Sequence, residues 1–123
     1  MQAVSPKSAV ILEKFKKETV MGYSMVVTTC RDKEEARAIA RMLLEKKLAA
    51  CIQIQETESH YRWQGKTESS GEALVFIKTR SELYGEVERA ITEVHSYQVP
   101  EIIKVPVENG LLSYLNWIDE VTK

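Results

Sequence analysis

The sequence predicts an α+β fold of the ferredoxin-like β-α-β-β-α-β sandwich type, with a long central hairpin and an added C-terminal helix. Three observations carry this. β-prone runs and helically spaced runs follow one another in that order. The stretch from Ala50 to Thr79 reads as two long strands around a turn at Gln64-Gly65, where glycine supplies a positive φ. Two runs, Ser24–Thr29 and Ala73–Ile77, are apolar at both parities. A strand shows alternate side chains to two faces, so such strands belong at the centre of a sheet covered on both sides.

The elements follow in order. Ser24–Thr29 is the first strand. Asp32, with Glu35 three residues on, forms a variant capping box. Ala36, Ile39, Ala40, Leu43 and Leu44 then fall at helical spacing, and Lys46-Lys47 close the helix where its dipole favours cations. In the next strand Ile52 and Ile54 hold even positions, whereas Tyr61 and Trp63 hold odd ones. This parity change predicts a bulge within Gln55–Ser59. A second irregularity is expected in Glu68–Glu72. Ser81 caps a second helix carrying Leu83, Val87, Ala90, Ile91 and Val94. Pro100 ends that connection. Ile102–Val107 is the fourth strand, and Pro106 assigns it to an edge. A last helix bears Leu111, Tyr114, Leu115 and Ile118 on one side, with Trp117 close by.

Right-handed crossovers put the first two helices on one sheet face. Val26, Val75, Ile77 and their neighbours cannot all lie on that side, so an apolar face is left open. Such a face marks a partner surface, and self-association is the economical cover.

The 123 residues suit one domain, expected over 23–123, preceded by an extension over 1–22 that is peripheral or disordered. With 17 basic and 18 acidic side chains, the net charge of −1 gives no global pull towards nucleic acid. No apolar run reaches the roughly 18 residues of a membrane span. The only early apolar run, Ala9–Leu12, is too short for a signal peptide core. Two cysteines, Cys30 and Cys51, are too few for a disulfide scaffold and read as small buried thiols. A cytoplasmic protein is the expectation.

No phosphate loop, dinucleotide fingerprint, zinc spacing or nucleophile elbow is present. No enzyme is therefore expected. Gly65-Lys66 reads as a turn. His95, beside Tyr97 and Glu101, is the most suggestive polar residue, since imidazole binds divalent ions. The alternative is an ordinary helix-end histidine. His60 reads as a solvent-facing strand residue. Tyr61, Trp63, Tyr97, Tyr114 and Trp117 either line a pocket or pack at an interface. Lys78, odd in an apolar run, pairs with Glu101 at a subunit junction or reaches solvent along its stem.

Five segments taken together then carry a resemblance. They are Leu44–Cys51, Tyr61–Lys66, Ile77–Thr79, His95–Glu101 and Tyr114–Trp117. In this order and spacing the chain from Ser24 onward resembles the CutA family of divalent-cation tolerance proteins. The resemblance implies a ferredoxin-like protomer in a homotrimer, similar to PII-type signalling proteins. It implies tolerance of copper and other divalent ions, with Cu(II) or another divalent cation as ligand. Relatives with a proposed copper site have cysteine at the position of Thr28 and a histidine pair at Val94-His95; here only His95 is kept, and Cys30 lies two residues further along the strand. The metal candidates are His95, Glu101 and Cys30. The alternative is a trimeric sensor or adaptor. It would bind a small anion or metabolite in an intersubunit cleft lined by Tyr61, Trp63, Lys66, Lys78, Tyr97 and Glu101. In that arrangement the hairpin forms one wall and another chain's His95–Glu101 loop the other.

Overall fold

The computed structural model describes residues 22–123. The extension expected over 1–22 lies outside the described residues, Gly22 excepted. The elements are β1 (Tyr23–Cys30), α1 (Lys33–Glu45), β2 (Cys51–Trp63), β3 (Lys66–Arg80), a 3-10 turn (Ser81–Leu83), α2 (Tyr84–Val94), β4 (Ile102–Val107) and α3 (Leu112–Val121). The four strands form one antiparallel sheet in the order β2-β3-β1-β4. The two strands apolar at both parities are central. Pro106 sits on an edge strand, where a missing ladder donor is tolerated.

One sheet face holds the core. Val26 lies opposite Ile77 and Thr28 opposite Val75. On the other side of β3, Ile52 faces Ile77 and Ile54 faces Val75. Paired residues share a face, so these side chains form one floor with Cys30 and Ala73. Ile39 and Leu43 of α1 and Val87 and Ile91 of α2 close over it, each at most 1% exposed. Burial of such side chains stabilises by about 1.5–3 kcal/mol apiece.

The neighbours Val27, Leu74 and Phe76 take the opposite face, joined by Met25, Ile103 and Val105. α3 packs over one end of it. There the Tyr23 hydroxyl donates to Asp119 (2.6 Å), and Arg80 Nε donates to Thr122 Oγ1 (2.8 Å). Beyond α3 the face is open: Ile103 is 49% and Val105 38% exposed.

The hairpin turn is as expected. Gln64 (φ 50) and Gly65 (φ 78) are both left-handed, the two-residue turn whose twist matches flanking strands. The expected irregularities are absent. Pairing runs unbroken from Cys51–Lys78 to Trp63–Lys66. The parity change has another cause: Ile52 and Ile54 point at the helices, while Tyr61 and Trp63 point to the other side, 42% and 40% exposed, where they line a cleft. Ser81 is not a cap either. Its hydroxyl bonds Ser24 Oγ, a 3-10 turn precedes α2, and neither has a side-chain cap. Val94 and Leu44, placed on apolar stripes by spacing, are 55% and 45% exposed.

Candidate functional site

Three element ends converge beyond the C-terminal end of β1. β1 stops at Cys30, wholly buried and facing the helices. α1 begins with Asp32, whose Oδ1 accepts the Glu35 N–H at 2.8 Å. One turn in, Glu35 reaches back, as a capping-box residue does. Its Oε1 accepts the Arg31 N–H and its Oε2 accepts from Arg31 Nη1, both at 3.1 Å. Oε2 also accepts the Ser96 N–H at 2.9 Å. α2 ends at His95, whose own N–H still bonds Ile91 O while its backbone turns extended.

The Cys30 thiol, the Glu35 carboxylate and the His95 imidazole thereby lie within 4.8 Å of one another. The imidazole is fixed at both nitrogens. Nδ1 accepts the Tyr97 N–H (3.1 Å), so Nε2 carries the proton and donates to Thr29 O (2.8 Å). Burial pushes the Cys30 thiol up to about 12, and Glu35 adds to this. Burial opposes ionisation of Glu35 as well. The hydrogen bonds from Ser96 and Arg31, with His95 nearby, outweigh it and hold the carboxyl below its usual range.

The segment after His95 forms one wall of a cleft of about 680 Å³. Tyr97, Val99 and Glu101 line this wall; Tyr61, Trp63 and Glu72 of the hairpin line the other. The Tyr97 hydroxyl donates to Glu72 Oε2 at 2.5 Å, and burial together with that carboxylate pushes the phenol up. The volume is that of small-molecule sites, roughly 300–1,000 Å³.

These positions sort the sequence candidates. Tyr61, Trp63, Tyr97 and Glu101 share the cleft. Lys66 stands at the hairpin tip opposite Trp63, outside the lining. Within one chain the Lys78 ammonium donates to Gln53 Oε1 (2.5 Å), on the open sheet face. Within one chain the loop walls a cleft against its own hairpin. His95 and Cys30 come together, but their acidic companion is Glu35, while Glu101 lies in the cleft lining. Glu35 and Glu72 were not singled out as site residues from sequence. A signal existed for Glu35, which continues the buried Ile39–Leu43 stripe one turn towards the helix start. Thr28, where the resemblance places a cysteine, is wholly buried, and its Oγ1 has no hydrogen-bond partner among the described residues.

The fold and site thus define a class: a ferredoxin-like protomer with an apolar open sheet face and a thiol–carboxylate–imidazole cluster beneath a cleft. The CutA1 divalent ion tolerance protein family matches residues 24–121. The chain belongs to this family. It is 43% identical over 101 residues to the divalent-cation tolerance protein CutA of Archaeoglobus fulgidus, spanning 82% of this chain and 99% of that one. It is 42% identical to mouse protein CutA, over 81% of this chain and 57% of the mouse protein. Among solved structures, that of the Archaeoglobus fulgidus protein, described as periplasmic, superposes with a TM-score of 0.81 at 42% identity, covering 82% of this chain and 99% of that one. CutA1 from Oryza sativa gives 0.81 at 36% identity, covering 85% and 97%. The family and the Archaeoglobus fulgidus relative are named for tolerance, not for a reaction. Among the described residues no helix is long and apolar enough to cross a membrane.

Proposed function

We propose that this chain serves divalent-cation tolerance by binding the ion itself, as a homotrimer, with Cys30, Glu35 and His95 supplying the donors. The observation that carries this is the convergence of thiol, carboxylate and imidazole within 4.8 Å. Thiolate and imidazole favour copper and zinc over the hard cations, and Cu(II) leads the divalent series. The donor set therefore fits Cu(II). Binding has a cost, because the thiol must lose its proton and His95 must give up a hydrogen bond. The open face with Ile103 and Val105 supports self-association. Two free thiols support a cytoplasmic location, which cell fractionation checks.

Titration calorimetry with Cu(II) on wild type and His95→Ala tests the ion site. The expected result is binding by wild type with proton release, seen as a heat that changes with buffer ionisation enthalpy, and weakened binding by the variant. Equal weak heats from both proteins would exclude His95 as a ligand. The cleft favours a second reading, a sensor or adaptor for a small metabolite held among Tyr61, Trp63, Tyr97 and Glu101. Within one chain neither Lys66 nor Lys78 lines that cleft, so an anion held by them belongs to the intersubunit form of this reading. A small-molecule library screened by thermal shift on wild type and Trp63→Ala checks it; no hit sensitive to the substitution would remove it.

A further inference from the structure

The segment Ser96–Glu101 belongs to both the cluster and the cleft. On the cluster side its first two N–H groups are held, Ser96 by Glu35 Oε2 (2.9 Å) and Tyr97 by His95 Nδ1 (3.1 Å). On the cleft side the Tyr97 hydroxyl ties it to Glu72 of the hairpin (2.5 Å), and Tyr97 and Glu101 form part of the lining. The His95 and Tyr97 rings lie 4.9 Å apart, so movement of one is felt by the other.

The three donors differ in what they have to spare. Ionised Glu35 has about four lone-pair positions and can hold an ion while keeping Ser96. Neutral His95 has a single ring lone pair, on Nδ1, and the Tyr97 N–H occupies it. An ion approaching from Nε2 would instead require the ring proton to move to Nδ1, which breaks the bond to Thr29 O and also leaves the Tyr97 N–H without its acceptor. His95 therefore cannot become a ligand without loosening an attachment of the loop.

We propose that His95 is a latch: ligation of a divalent ion at Cys30, Glu35 and His95 releases Tyr97 and frees the loop wall of the adjoining cleft. This rests on the ion site proposed above. Ion affinity and attachment of that wall are then linked, and whatever holds the wall in place weakens ion binding by the same factor.

The test uses Zn(II), which does not quench fluorescence, on the full chain. Amide exchange at Tyr97 is followed by NMR, with Trp63 emission read in a Trp117→Phe background. Zinc affinity is measured in parallel by calorimetry, on wild type and Cys30→Ser. The expected result is Zn(II) binding that weakens in Cys30→Ser, exchange at Tyr97 about tenfold faster, and a red shift of Trp63. Zinc binding at the cluster with Tyr97 exchange and Trp63 emission unchanged would overturn the latch and leave the ion site standing. An absence of zinc binding would remove the ion site and the latch with it.

Discussion

Replacing Glu35 by glutamine tests how much the buried carboxylate holds together. Glu35 is 7% exposed and accepts from Arg31 N, Arg31 Nη1 and Ser96 N. Hydrogen bonds to a charged group contribute about 1.5–3 kcal/mol each, but Arg31 is exposed and recovers water when released. The loss then falls mainly on Ser96. The substituted glutamine can keep one oxygen acceptor, yet its amide must turn a donor towards either the Ser96 or the Arg31 N–H. We expect a loss of about 2 kcal/mol, or a fall of about 1 M in the urea midpoint for an m-value near 2 kcal/mol/M. The assay is urea unfolding at fixed protein concentration, because the proposed self-association would make stability concentration-dependent. The pH dependence gives the sharper sign. The folded carboxyl lies below its unfolded value, so its contribution is full above the unfolded range, about pH 4.3, and is lost as pH falls through the folded value. The gap between wild type and Glu35→Gln is therefore widest near neutrality and narrows in acid. A gap that stays constant with pH, or one below about 0.3 kcal/mol at pH 7, would refute the reasoning.

Other consequences follow from single side chains. Thr28 buries an unpartnered hydroxyl, so Thr28→Val should stabilise by about 1 kcal/mol in urea unfolding; a loss of stability would show that the hydroxyl has a partner. Ile77 is wholly buried at the sheet centre, and Ile77→Ala should cost about 2–5 kcal/mol in the same assay. Gly65 has φ +78 with open space around its added Cβ, so Gly65→Ala should cost only the left-handed penalty, about 1–2 kcal/mol; a larger loss would point to a contact at the hairpin tip. The Cys30 thiol is buried and pushed up to about 12, so at pH 8 it should resist a disulfide-exchange reagent until urea unfolds the chain; prompt labelling in the folded protein, located by peptide mapping, would contradict this.

The sequence made the architecture legible because burial and alternation speak directly there. Val26–Val27 and Val75–Phe76 announced central strands by being apolar on both faces, and Pro106 announced an edge. The same logic failed at the hairpin. The shift from Ile52 and Ile54 to Tyr61 and Trp63 looked like a slipped register, but the ladder is regular. What changes along β2 is the neighbouring layer, helices near its start and the Tyr97–Glu101 loop near its tip. Alternation reports which face is covered, and it cannot say by what. The site was half legible. His95 stood out as a histidine at a helix end, and Cys30 as a thiol ending a strand. Glu35 hid inside a capping pattern that explained it fully, although it also serves Ser96 from 61 residues away. Glu101 was grouped with His95 by sequence proximity, whereas the extended backbone from His95 onward leads it into the cleft lining.

The central claim is that Cys30, Glu35 and His95 hold a divalent ion. The most direct measurement is anomalous diffraction at the copper edge from crystals grown with Cu(II). We expect a peak among these three side chains, roughly 2.0–2.3 Å from the Cys30 Sγ and a His95 ring nitrogen. A structure with ordered copper only elsewhere, or with His95 still bonded to both Thr29 and Tyr97 beside a bound ion, would contradict it.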